Sequence, residues 1–141
     1  MADVTTSTVI NRPVDVVAAY ATDPDNAPEW YANIASIEWE SHPPLQLGSR
    51  MRFVARFLGR TMRYTYEIAE YEPGMLLVMR TTEGPSMETT YAFAGEQDGA
   101  THMTLRNRGG PAFLSFLMAP AMRRANTKDL AKLKAILEDA Q

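Results

Sequence analysis

The chain has 141 residues, enough for one domain with a real core and too few for two ordinary ones. Its formal net charge is −3, with Lys and Arg scattered among Asp and Glu, so it offers no basic field of the kind nucleic acid needs. It has no cysteine, which excludes disulfides, thiolate nucleophiles and thiolate metal sites.

The opening segment MADVTTSTVINRP is polar and lacks the apolar stretch of a signal peptide, so a cytoplasmic protein is expected. β-Branched Val4–Ile10 predicts a strand, ended by Asn11-Arg12-Pro13. Pro13 opens a short helix to about Ala21, because a first helical turn has no use for its missing N–H. Asp23-Pro24 starts a second short helix carrying Trp30 and Tyr31. Residues 35–41 alternate as a strand and stop at His42-Pro43-Pro44.

A hairpin follows over Met51–Tyr71. Met51, Phe53, Ala55 and Phe57, then Met62, Tyr64, Tyr66 and Ile68, occupy one face; Arg52, Arg56, Arg63, Thr65 and Glu67 fall on the other. Pro73-Gly74 supplies the next turn. Three more strands, Leu76–Thr82, Met87–Ala94 and Thr101–Arg108, are separated by Gly84-Pro85 and Asp98-Gly99. The period then changes to helical from Pro111 to about Ala140, with a kink expected at Pro120. The longest apolar run, Pro111 to Met122, falls short of the roughly 20 residues a membrane span requires, so no transmembrane segment is expected.

The prediction is thus α+β: seven antiparallel strands, two short helices after the first, and one long C-terminal helix. The arginine-rich face is the solvated side and the Met/Phe/Tyr face the inner one. Most inward side chains suit a plain core, yet Tyr64, Tyr66, Tyr91, Thr81, Thr89 and Asn107 carry polar atoms that need partners there. Several at once point to a mostly apolar cavity with a few orienting polar groups.

The strand-end proline and Pro28-Glu29-Trp30 of VINRPVDVVAAYATDPDNAPEWYANIASIEW, together with LGSRMRF, YEPGMLLVMRTT, METTYAFAGEQDGATHMTLR and the closing DLAKLKAILEDA, carry a family likeness. On these segments the chain resembles the START-like superfamily, specifically the SRPBCC group of polyketide cyclases/dehydrases and lipid-transport proteins. The resemblance implies a helix-grip fold, a curved sheet holding the long helix with a hydrophobic cavity between them. Members bind lipids, sterols, polyketides or quinones, and some are aromatases or cyclases. Asn126-Thr127-Lys128-Asp129 stands where the heat-shock co-chaperone branch carries a Gly-Trp pair, which disfavours that branch.

By strand parity no Asp, Glu, Lys, Arg or His points inward between Met51 and Asn107, so no catalytic residue is identified on the strands. His42 and His102 are too far apart in the pattern for a metal site, and no cofactor motif is present. The candidate ligand-binding residues are Trp30, Phe53, Phe57, Tyr64, Tyr66, Met79, Thr81, Thr89, Tyr91, Met103, Asn107, Phe113 and Leu117. A soluble carrier of a small hydrophobic ligand is expected, its affinity for a neutral ligand constant between about pH 5.5 and 8.5 because tyrosine alone titrates on the inner face. Two alternatives stay open: a cyclase or aromatase using the same cavity, and an interaction module. The helix from Phe113 to Met122 is apolar nearly all round, which suits a cavity cover, a homodimer contact or a lipid contact. Arg124, Lys128 and Lys132 form a solvated stripe farther along the same helix.

Overall fold

The computed structural model describes residues 2–57, 59–109 and 115–139, the side chains of residues 57 and 115–118 excepted. In chain order the elements are β1 (Ala2–Ile10), α1 (Val14–Ala21), a 3-10 turn (Pro24–Asn26), α2 (Ala27–Trp30), β2 (Ile34–Trp39), β3 (Arg50–Phe57), β4 (Arg60–Glu72), β5 (Leu76–Glu83), β6 (Met87–Gly95), β7 (Thr101–Gly109) and α3 (Ser115–Asp139). The seven strands form one antiparallel sheet in the order β1-β7-β6-β5-β4-β3-β2, curled around α3 in the helix-grip arrangement.

Local chemistry explains the element ends. The Pro13 carbonyl accepts from the N–H of Val17 at 3.1 Å, starting α1 without needing a proline donor. Asp23 caps the 3-10 turn, its side chain accepting from Asp25 N at 3.0 Å. Between β4 and β5 the N–H of Met75 donates to Glu72 O at 2.9 Å across Pro73-Gly74. Gly84 is held at φ +96, and a Cβ there would lie 2.7 Å from Arg63 O, so the β5–β6 turn comes this close to β4 only because it has no side chain.

The register sets the inner face. Tyr66 stands opposite Met51 on one side and Thr81 on the other; Met79 stands opposite Ile68 and Thr89, and Thr89 opposite Asn107. The β4–β5 register shifts at Thr65/Tyr66 and again at Ile68/Glu70. The solvated face has two exceptions to its expected exposure, since Thr65 beside the first shift and Val78 beside the second are both buried. Elsewhere that face carries ion pairs, among them Arg52 with Glu40 at 2.6 Å and Arg106 with Asp3 at 2.7 Å.

Helix α3 runs parallel to β1. Arg123 donates to Thr5 O at 3.2 Å, Lys134 to Val9 O at 2.6 Å, and Arg12 to Leu137 O at 2.7 Å. Between the first contact and the last, helix and chain each advance about 20 Å, so the alignment holds from Thr5 past the end of β1. Pro120 lies inside α3, and Arg124, Lys128 and Lys132 are exposed. Leu130, Leu133 and Leu137 are buried in one hydrophobic core with Ile10, Val17, Met103 and Leu105.

Candidate functional site

Toward the N-terminal half of α3 the space between helix and sheet is not filled. A cavity of ≈ 660 Å³ opens there, lined by α3 (Met122, Ala125, Asn126, Asp129), by the inner faces of β3 to β7, and by Tyr31, Asn33 and Ile34. The exposed residues Arg60 and Pro85 belong to its rim. A smaller depression of ≈ 210 Å³ at Arg80, Thr81, Ser86 and Arg108 lies among surface charges.

Most of the lining is apolar or aromatic. Phe53 stacks on Tyr64 with ring centroids 5.5 Å apart, and Tyr66 meets both rings edge-on. Polar atoms inside this wall are paired in short relays. The Thr89 hydroxyl donates to Asn107 Oδ1 at 2.6 Å, so the 2.6 Å contact between Tyr66 and Thr89 has the tyrosine as donor. Tyr31 and Tyr91 share a 2.7 Å hydroxyl–hydroxyl bond in which either donates. Burial pushes the phenols of Tyr31, Tyr64 and Tyr91 well above their ordinary range, and that of Tyr66 up to about 12.

Helix α3 contributes a different chemistry. Asn126 and Asp129 are 4% and 3% exposed, and both border the cavity. Asp129 Oδ1 accepts from Ala32 N at 3.1 Å, and no cation pairs with it among the described residues. Desolvation raises its carboxyl from 3.8 to about 6, the hydrogen bond from Ala32 opposing that shift. The Asn126 amide nitrogen finds no partner among the described residues.

Seven of the sequence-predicted residues meet at this cavity: Phe53, Tyr64, Tyr66, Met79, Thr89, Tyr91 and Asn107. Three others lie elsewhere. Trp30 is 1% exposed and packs behind the wall, its ring stacked 4.1 Å from Tyr31, so Tyr31 borders the space in its place. Thr81 lies where β5 parts from β6, and its hydroxyl accepts from Met87 N at 3.0 Å. Met103 lies deep in the leucine-packed core. Phe113 falls outside the described residues, as do the side chains of Phe57 and Leu117; with them goes the expected cover or homodimer surface at the start of the helix.

Asn126 and Asp129 were not among the sequence-predicted residues. Strand parity is silent about helix residues, so the inner surface does carry a group titrating near neutrality. A signal was present: Met122, Asn126, Asp129, Leu133 and Leu137 recur at three- and four-residue spacings, and two polar residues interrupt an otherwise apolar stripe. Among the described residues no cluster of His, Asp or Glu is placed to hold a metal ion, and no helix is long and apolar enough to cross a membrane.

The sequence model of the polyketide cyclase / dehydrase and lipid transport family matches residues 1–138. No curated protein matches the chain by sequence. Among solved structures, the START superfamily protein from Mycobacterium smegmatis superposes with a TM-score of 0.84 at 9% identity, covering 99% of both chains. The protein TTHA0849 from Thermus thermophilus gives 0.82 at 22% identity, again covering 99% of both chains. The ZhuI aromatase/cyclase from Streptomyces sp. R1128 gives 0.78 at 14% identity, covering 96% of this chain and 93% of its own. At such identities these likenesses establish the fold.

Proposed function

This chain belongs to the polyketide cyclase / dehydrase and lipid transport family, and on that premise we propose that it binds a small, neutral, hydrophobic or amphipathic molecule between the sheet and α3. The observation that carries the reading is the cavity itself. Its ≈ 660 Å³ lies within the range of small-molecule sites, and its wall is chiefly aliphatic and aromatic with few polar atoms. Such a wall favours ligands by size and shape, with the hydroxyl relays fixing orientation.

Nile red, a neutral hydrophobic fluorophore, tests this directly. Tyr66→Ala and Tyr91→Ala are expected to weaken its binding more than Thr90→Ala, whose side chain lies on the opposite face. Thr65 does not serve as that control, because it is buried. Equal losses in folded variants from both faces would defeat the assignment. Native mass spectrometry of freshly purified protein supplies the natural ligand, if one is retained.

A second reading, a cyclase or dehydrase working in the same cavity, is favoured by one observation. Asp129 borders the space with a carboxyl raised to about 6, poised to exchange a proton near neutral pH. Turnover of a polyketide-like substrate that vanishes in Asp129→Asn would establish it; binding without turnover leaves the carrier reading.

A further inference from the structure

We propose that the α3 side of the cavity is a hydroxyl-recognition site: a ligand O–H donates to the Asp129 carboxylate while its oxygen accepts from the Asn126 amide. The inference rests on the cavity being a ligand site and adds the chemical class of the ligand's polar end, an alcohol or phenol at the edge of an apolar body.

Three observations converge. Asn126 and Asp129 lie three residues apart on one helix face, a spacing of about 5–6 Å between Cβ atoms that one bound oxygen can bridge. Both are more than nine-tenths buried, and both border the cavity. Their hydrogen-bonding capacity is unspent: Asn126 has an amide nitrogen without a partner among the described residues, and Asp129 uses Oδ1 toward Ala32 N while no cation answers its charge. Buried polar atoms left in that state are costly, so a ligand that satisfies both is favoured over one that satisfies neither. Tyr31 and Tyr91, which border the same space, add one more O–H: whichever hydroxyl accepts their shared bond keeps its own proton to donate.

The pairing selects among ligand chemistries. An ammonium would answer Asp129 but accepts nothing from Asn126, and it loses several kcal/mol of hydration on entering an apolar space. A carboxylate would be repelled by Asp129. An ether or ketone would accept from Asn126 and leave Asp129 unanswered. Of these groups only the hydroxyl both donates and accepts through one oxygen.

Displacement of Nile red at pH 7 by matched pyrenes tests this. Pyrene reports on the apolar cavity; 1-hydroxypyrene, 1-methoxypyrene and 1-pyrenemethylamine report on the polar end. The expected result is displacement by pyrene and about tenfold tighter binding of the hydroxyl than of the methoxy compound, the low end of a hydrogen bond to a charged group. In Asp129→Asn that preference should fall to about twofold or less; in Asn126→Ala the hydroxyl and methoxy compounds should both weaken relative to pyrene measured in the same variant, since both accept from the amide. Pyrene binding without a hydroxyl preference, a preference that survives in Asp129→Asn, or oxygen compounds that do not weaken relative to pyrene in Asn126→Ala, overturns this inference and leaves the cavity reading intact. Tighter binding of the amine assigns Asp129 to a cation and overturns it as well. Failure of every pyrene to displace the dye overturns the cavity reading and this inference with it. Asp129→Ala reads the same loss of preference if Asp129→Asn does not fold.

Discussion

The two ends of the space between sheet and helix are built from the same alternating strands, yet one is packed solid and the other is hollow. At the packed end Leu130, Leu133, Leu137, Met103, Leu105, Ile10 and Val17 are all buried in the hydrophobic core, and none of them lines the cavity. At the hollow end the helix presents Ala125, Asn126 and Asp129 to Tyr31, Tyr66 and Tyr91. Leucines reach across to fill the gap at crystal-like density, whereas alanine and short polar side chains stop short and leave the volume open. Where the space stays open is thus set by the helix, and the sheet's polar side chains border it only where the helix leaves them room.

The comparison breaks first on packing. Leu133→Ala should destabilise the fold by about 3 kcal/mol, because a void replaces a fully enclosed side chain. Met79→Ala, whose side chain already borders empty space, should cost about half as much by the same reasoning. Denaturant titration of both variants checks this, and equal losses would mean the hollow end is as tightly packed as the other.

Asp129→Asn should do the reverse and stabilise the protein, at one pH and not at another. The folded chain raises this carboxyl from 3.8 to about 6, so it holds the proton more tightly than the unfolded chain does. The favourable contribution of the neutral acid is present below about pH 4 and is lost as pH rises through about 6. The amide, which never ionises, should therefore be more stable than wild type by about 2 kcal/mol at pH 8 and nearly equal to it at pH 4. Thermal melts across that range read the difference. A gap that does not change with pH would place Asp129 in contact with water rather than in the wall.

The smallest effect sharpens the picture of the relays. Tyr66→Phe removes the bond donated to Thr89 while keeping the ring, and should cost about 1 kcal/mol. Thr89→Val, which removes the centre of the relay, should cost no less; a smaller loss there would show that the tyrosine does not depend on it.

Much of this architecture was legible in the residues. Strict alternation from Met51 to Ile68 assigned Phe53, Tyr64 and Tyr66 to the inner face, and Pro13, Pro73-Gly74 and Gly84 placed the boundaries, because side-chain direction and allowed φ are local properties of the backbone. Depth was not legible. Parity gives Met103 and Tyr91 the same direction, but Met103 is fully buried away from the cavity and Tyr91 borders it. Trp30 and Tyr31 are neighbours in sequence, and only the docking of α2 decides that the tyrosine reaches the space. Asp129 sits on the helix, where strand parity gives no direction. Its raised carboxyl arises from desolvation, against the opposing hydrogen bond from Ala32 N, and desolvation of that kind depends on contacts made across the chain. The strand pattern by itself determined which way each side chain points; the helix laid along β1 decided which of them are buried in core, which face a ligand-sized space, and which acid titrates near neutrality.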